Sequence, residues 1–128
     1  MNKFYYSDGS TSRERDHFKQ LHRVDGPAIE GGSGCKYWYL NGEFHRVDGP
    51  AVEYADGTKW WFLNGLRHRV DGPAIEWADG YEAWYLNGVR YLEKDFNKIL
   101  KEVNEMSLVL QLTDPKEWVR ELGRKRIT

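Results

Sequence analysis

The stretch His45-Arg46-Val47-Asp48-Gly49-Pro50-Ala51 occurs twice more without a change, as His22-Arg23-Val24-Asp25-Gly26-Pro27-Ala28 and as His68-Arg69-Val70-Asp71-Gly72-Pro73-Ala74, so one heptapeptide returns every 23 residues. The chain is therefore a repeat array. A unit this short cannot bury an apolar face alone and must stack on neighbours, so function is expected to be spread over a surface. A single asymmetric catalytic constellation is not what three identical loops supply.

Aligned on their histidines, the repeats run 22–44, 45–67 and 68–90, behind a degenerate, half-length cap over 1–21. A fourth cycle begins at Tyr91 and stops matching, which sets the repeat region at 1–91 and leaves 92–128 as a C-terminal helical segment expected to pack on the sheet. In the cap, Tyr5-Tyr6-Ser7-Asp8-Gly9 aligns with Glu53-Tyr54-Ala55-Asp56-Gly57, with two extra residues before the next histidine.

Within a repeat, Ala51 to Tyr54 runs into Ala55-Asp56-Gly57, and Thr58 to Leu63 runs into Asn64-Gly65. Asp-Gly and Asn-Gly are strong hairpin signals because both central residues of a type I′ turn need positive φ. Each repeat thus reads as one β-hairpin, with turns at Asp56-Gly57, Asn64-Gly65, Asp79-Gly80 and Asn87-Gly88, and with the heptapeptide as return loop. Successive hairpins predict an antiparallel meander. The Gly31-Gly32-Ser33-Gly34 turn, which replaces Tyr54-Ala55-Asp56-Gly57, is expected to be the most mobile.

Period-two alternation puts Trp38 and Leu40, Trp61 and Leu63, and Trp84 and Leu86 on one face, the same in every copy, and assigns that face to the core. The opposite face carries Tyr37, Tyr39, Trp60, Phe62, Ala83 and Tyr85 and changes from copy to copy. Of these, Tyr37, Tyr39, Trp60, Phe62 and Tyr85 are the candidate contacts to a protein partner, because Tyr and Trp are enriched at interface hot spots. Whether this face is covered by the C-terminal helices or left open is undecided at this level.

After Leu92 the period changes to 3.6, with Phe96, Ile99, Leu100, Val103 and Met106 on one stripe, and predicts a helix from about Leu92 to Met106. Ser107 to Leu112 fits either a continuation of that helix or a short strand. Asp114-Pro115 reads as an N-cap followed by Pro at the first helical position, opening a second short helix with Trp118, Val119 and Leu122 on one side and Gly123 as its stop. The fold class is therefore mainly β with C-terminal α, a hairpin meander capped by two helices.

Composition narrows the function classes. The 19 Lys and Arg nearly balance 20 Asp and Glu, for a net charge of -1, which provides no footprint for non-specific nucleic-acid or membrane-surface binding. The longest apolar run, Leu108 to Leu110, is far short of the roughly 20 residues that span a bilayer. A lone cysteine, Cys35, and a start without signal-peptide character point to the cytoplasm. Aromatic residues make up 15% of the chain, with six Trp and eight Tyr against two Met, so rings must carry most of the packing.

Three residue sets could carry chemistry. His22, His45 and His68 each precede an aspartate by three residues (Asp25, Asp48, Asp71), a spacing open to metal binding or acid-base work, but fixing the stacking of loops is the stronger reading. No Cys and His cluster has zinc spacing, and neither metal nor cofactor is expected. Arg23, Arg46 and Arg69 form a row in register with Glu30, Glu53 and Glu76, for which a cross-strand charge ladder is the default and capture of a nucleotide with nearby rings the alternative. Cys35, without a neighbouring His, is read as incidental.

The cycle from His45 to Arg67, with its His-Arg-x-Asp-Gly-Pro-Ala, Asp-Gly, Trp and Asn-Gly positions, resembles the MORN-related repeats common in tailed bacteriophages, giant viruses and some bacteria. The resemblance covers about residues 5 to 91 and leaves the C-terminal third unmatched. It implies a repeat β-hairpin fold in an extended curved sheet, a binding role and no catalytic residue. The heptapeptide departs from ordinary MORN loops, so lipid binding is not carried over. For a phage accessory protein in the host cytoplasm, the implied function is to bind and inhibit or modulate a host protein such as a defence or toxin component, with homo-oligomer formation open. Sequestration of a nucleotide signal by Arg23, Arg46 and Arg69 is the alternative, and a hydrolase comes last, since each candidate site exists in triplicate.

Overall fold

The computed structural model describes residues 1–110. Its N-terminal cap carries β1 (Lys3–Tyr5) and β2 (Thr11–Ser12), and the first repeat carries β3 (Ile29–Glu30), β4 (Lys36–Tyr37), β5 (Tyr39–Leu40) and β6 (Glu43–Phe44). The second repeats this pattern as β7 (Val52–Glu53), β8 (Lys59–Trp60), β9 (Phe62–Leu63) and β10 (Leu66–Arg67). The third carries β11 (Ile75–Glu76), β12 (Glu82–Leu86) and β13 (Val89–Tyr91), followed by α1 (Glu93–Leu110). The fold is mainly β with one C-terminal helix among the described residues.

Nine strands form one antiparallel sheet in the order β13-β12-β11-β8-β7-β4-β3-β1-β2, while β5-β6 and β9-β10 stand as separate two-stranded hairpins. Each of the first two full repeats therefore makes two hairpins where one is predicted. The cause lies at Trp38 and Trp61, whose N–H groups donate to the carbonyls of Ala51 and Ala74 in the following repeat at 2.7 and 2.8 Å. The residues just beyond them pair instead within their own Asn-Gly hairpin. The third repeat has no following copy, and β12 runs unbroken.

The two turn types also differ. Asn41, Asn64 and Asn87 have φ of 50°, 48° and 52°, followed by Gly42, Gly65 and Gly88 at 79° to 82°, which is type I′ geometry. At the Asp-Gly turns only the glycine is left-handed, with Gly57 at 96° and Gly80 at 95°. There the Gly57 N–H donates to the Tyr54 carbonyl at 3.1 Å, the Tyr54 N–H to the Thr58 carbonyl at 2.9 Å, and the Thr58 N–H to the Asp56 carboxylate at 2.9 Å. This is a three-residue turn with a glycine bulge, closed by the aspartate side chain, and it corrects the type I′ expectation. The Gly31 to Gly34 turn closes the same two backbone bonds, at 3.0 and 2.8 Å.

The register places Phe4, Ile29, Tyr37, Val52, Trp60, Ile75 and Ala83 side by side on one face of the large sheet. Lys3, Glu30, Lys36, Glu53, Lys59, Glu76 and Glu82 share the other. In the first two repeats the core lies on the first face, which reverses the sequence assignment there, whereas in the third Leu86 of the tryptophan-leucine stripe is buried beneath α1. Val52, Ile75, Ala83 and Phe62 are buried, as are Ala28, Ala51 and Ala74 beside them, whereas Trp38, Trp61, Trp84, Leu40 and Leu63 are only half-buried. Because the chain breaks its strand at each tryptophan, the Asn-Gly hairpins carry Tyr39, Phe44 and Phe62 against the core, with ring centroids 4.4 and 5.0 Å apart.

The cap takes a different register from the one its Asp-Gly suggests. The Tyr5 N–H donates to the Ala28 carbonyl at 2.8 Å and the His22 N–H to the Tyr5 carbonyl at 3.0 Å, matching Trp38 to Ala51 and His45 to Trp38. Tyr6 bridges Leu21 as Tyr39 pairs with Phe44. Lys3-Phe4-Tyr5-Tyr6 is thus the counterpart of Lys36-Tyr37-Trp38-Tyr39, and Asp8-Gly9 lies in an expansion of the Asn-Gly hairpin position.

In α1 the expected stripe is buried at Phe96, Ile99 and Val103, with Leu100 beside them, packed against Leu86, Trp84, Val70 and Tyr91. The helix lies on β12 at the end of the array, on the tryptophan-leucine stripe of the third repeat. It continues through Leu110, which settles Ser107 to Leu110 as helix. The second helix expected from Asp114 to Gly123 lies outside the described residues.

Phe62→Ala is expected to cost about 3–5 kcal/mol as a large-to-small core change, and Trp61→Ala less because its indole is half-exposed. Denaturant midpoints decide between the faces, since the opposite order would return the core to the tryptophan stripe.

Candidate binding surface

Each heptapeptide loop is organised around its arginine. Arg46 Nε donates to Asp48 Oδ1 at 3.1 Å, and its Nη1 to the Pro50 carbonyl at 3.1 Å and Glu53 Oε1 at 3.3 Å. Arg69 repeats this on Asp71, Pro73 and Glu76 at 2.9, 3.0 and 2.9 Å, and Arg23 on Asp25, Pro27 and Glu30 at 3.0, 3.2 and 2.6 Å. The flat guanidinium then covers an aromatic ring of the preceding unit, with Arg46 3.9 Å above Trp38, Arg69 3.8 Å above Trp61 and Arg23 3.9 Å above Tyr5. The loop glycine makes room, because a Cβ at Gly49 would stand 2.9 Å from the Arg46 guanidinium carbon. Burial works against the charge on Arg23, yet the hydrogen bonds it donates to Glu30 and Asp25 raise its pKa. The candidate nucleotide-binding row Arg23, Arg46 and Arg69 is therefore engaged, residue by residue, inside its own loops.

The histidines do a different job from the aspartates. Nδ1 of His22, His45 and His68 accepts the N–H of Asn41, Asn64 and Asn87, each at 2.9 Å. The glycine after each asparagine donates to the carbonyl of Leu21, Phe44 or Arg67 at 2.8 to 2.9 Å. Each type I′ turn is thus pinned to the start of the heptapeptide loop, while the aspartates bond the arginines and point outward. Among the described residues, no three His, Cys, Asp or Glu side chains are gathered as a metal site.

On the opposite face the candidate partner contacts fall into two aromatic rows. Tyr37 and Trp60 belong to a row with Tyr54 and Trp77, the rings meeting edge to face at centroid distances of 6.0, 5.1 and 5.7 Å. Tyr39 and Phe62 belong to the hairpin row with Phe44, where Phe62 is buried. Burial pushes up the pKa of the Tyr37, Tyr39 and Tyr54 hydroxyls. Tyr85 stands apart from both rows and meets them through Arg67, whose guanidinium carbon lies 5.6 Å from the ring centres of Trp60, Phe62 and Tyr85 alike.

Arg67 is the residue sequence reasoning missed. Unlike Arg23, Arg46 and Arg69 it has no ion-pair partner among the described residues, and its Nε and the Trp60 Nε1 are buried without a hydrogen-bond partner. The available signal was a break in the repeat, since the position before each histidine changes from Leu21 to Phe44 to Arg67. Tyr54 and the half-exposed Trp77 extend the same surface and were not among the candidate contacts. Cys35 occupies the place of Thr58, whose Oγ1 accepts the Ala78 N–H at 3.1 Å, and its thiol is held below its usual pKa first by the Ser33 hydroxyl and then by the Ala55 amide.

If the arginine row works as a clamp between repeats, a double-mutant cycle of Arg69→Met and Trp61→Leu should give a coupling of about 0.5–2 kcal/mol in unfolding free energy. Additive effects would show that the stacked pair contributes nothing of its own. Comparison of the chain with protein families, with curated proteins and with solved structures finds no match.

Proposed function

We propose that the protein is a non-enzymatic binding protein whose partner is another protein, held on the aromatic rows around Trp60 and Arg67. The observation that carries this reading is the pair of buried donors, Trp60 Nε1 and Arg67 Nε, that have no acceptor within a cluster of three rings. Leaving a buried donor unsatisfied costs about 1–3 kcal/mol, a cost that a partner's carboxylate or carbonyl would recover on binding. Half-exposed aromatic rings around an arginine are the composition of interface hot spots. The resemblance to repeats of tailed phages makes a host defence or toxin component the expected partner. Sequestration of a nucleotide by Arg23, Arg46 and Arg69 is less well supported, because each guanidinium already serves two carboxylates and a carbonyl.

Arg67→Met removes an unpaired cation while keeping length and apolar contact, so thermal stability should stay level or rise. Capture from a host cytoplasmic lysate, read by mass spectrometry, should show a protein retained by the wild type and reduced about tenfold or more by Arg67→Met, a loss of roughly 1.4 kcal/mol. Equal retention by both proteins would sink the reading. A nucleotide that stabilised the wild type by about 2.7 kcal/mol at a hundredfold excess over its Kd would favour sequestration instead.

A further inference from the structure

We propose that the partner protein presents an acidic segment, whose carboxylates are received by Arg67 of the second repeat and Arg90 of the third, with aromatic rings between them. This rests on the aromatic face being the partner surface, as proposed above, and adds the charge of what binds there.

Arg67 and Arg90 hold the same position of the repeat. Both stand directly before the place of the loop histidine, where the earlier units have Leu21 and Phe44. In the backbone register Arg67 lies opposite Phe62 and Arg90 opposite Tyr85, each in an Asn-Gly hairpin. The Arg67 guanidinium carbon is 5.6 Å from the centre of the Tyr85 ring, while Arg90 lies 5.9 Å from the centre of the Tyr81 ring and donates to the Tyr81 hydroxyl. Tyr85 is thus the ring that both arginines share. Because each repeat adds two strands to the sheet, strand spacing sets equivalent positions about 10 Å apart along this row. Beside them Trp77 and Tyr81 are 43% and 49% exposed, so ring surface is open to a partner between and around the two charges.

Charge decides what fits. Each loop arginine meets two carboxylates, whereas Arg67 and Arg90 meet none among the described residues. The acids of the same repeats are engaged elsewhere. Glu53, Glu76 and Glu82 lie on the other face of the large sheet, Asp48 and Asp71 hold the loop arginines, and Asp79 accepts the Tyr81 N–H at 3.0 Å. Residues 111–128 contain Asp114, Glu117 and Glu121 among five lysines and arginines, a basic balance that does not complement a pair of arginines. A carboxylate meets a guanidinium in a planar fit of two hydrogen bonds. At Arg67, half-buried and with its Nε lacking an acceptor, that attraction is screened less than at an open surface. Single-stranded nucleic acid is the poorer match. Two cations give few phosphate contacts, and the rings of the Tyr37 to Trp77 row meet at 77° to 90°, turning edges to one another instead of a series of open faces for bases.

The test pans a yeast-displayed library of random peptides, about twelve residues long, on the full-length protein. Asp and Glu should be enriched about threefold among the peptides retained, next to aromatic or aliphatic residues. With a labelled peptide of the selected consensus, Arg67→Met should weaken binding about tenfold, and the more exposed Arg90→Met about threefold, mainly through slower association and a shallower salt dependence. Lys59→Met, which removes the same charge from the opposite face, should change binding less than twofold, about the effect of a distant exposed charge. Peptides retained without acidic enrichment, no peptides retained, or equal binding by the Arg67→Met and Arg90→Met double variant overturn the proposal. If Arg67→Met still releases the protein captured from lysate in any of these cases, the aromatic-face reading stands and only the acidic partner falls. A single-stranded oligonucleotide that displaces the peptide and binds more tightly overturns it in favour of nucleic acid. A gain of about tenfold in peptide affinity on Asp114→Asn with Glu117→Gln and Glu121→Gln overturns it too, because the arginines would then serve the chain's own carboxylates.

Discussion

The array rests on one contact made three times, an arginine laid flat over an aromatic ring of the unit before it. The stack ties a loop to the neighbouring strand, and the Asp, Pro and Glu contacts fix the guanidinium within its own loop. A cation over a ring contributes about 0.5–2 kcal/mol depending on desolvation, and bonds between charged groups are the stronger class of hydrogen bond. Lysine could not replace it, because the site needs a planar group that stacks and donates along two edges at once. The invariance of the loop within this chain follows. Histidine holds the turn ahead, arginine holds the ring behind, aspartate and glutamate hold the arginine, and glycine leaves the space that the guanidinium occupies.

The ends of the array expose the same constraint by solving it differently. At the N-terminus, Tyr5 takes the place of tryptophan beneath Arg23, so the cap offers the first loop a ring without being a full repeat. At the C-terminus, Tyr91 and Leu92 stand where histidine and arginine would begin a fourth loop. Trp84 therefore has no guanidinium to cover it, and α1 covers it with Phe96 and its neighbours instead. A repeat array needs special ends because each interior unit leaves one face to be filled. Here one end supplies the missing ring and the other the missing lid.

What could be read from the residues was whatever one repeat dictates to itself. The 23-residue period, the four Asp-Gly and Asn-Gly turns of the last two repeats and the 3.6-residue stripe of α1 are local, and each stands in the structure where the residues place it. The choice of core face was not local. Alternation does put Trp60 and Trp61 on opposite sides, but which side is buried depends on the Trp61 N–H crossing to Ala74. That bond sends the next residues into a hairpin folded over the opposite face. Identity between copies then misleads, because the tryptophans are identical for the sake of the arginines that cover them, and the true core tolerates Tyr37, Trp60 or Ala83 at one position.

The same distinction explains why the candidate surface was only half legible. Tyr37, Trp60 and Tyr85 could be named from their variability, but Tyr39 and Phe62 turn out to be packing partners of Phe44, and Arg67 was invisible among the seven arginines and lysines of the repeats, the other six of which pair or face water. A charged residue at a position where a neighbouring repeat has phenylalanine is a local conflict: the array gains nothing from burying a donor beside Trp60 that it cannot satisfy. Within a repeat protein such a departure has a built-in control, since Phe44 shows that the fold accepts an apolar residue at that place. At Arg67 the contacts to the Trp60, Phe62 and Tyr85 rings stand against the cost of two buried donors left without acceptors, and a local conflict of this kind is where natural sequences commonly depart from what folding alone asks.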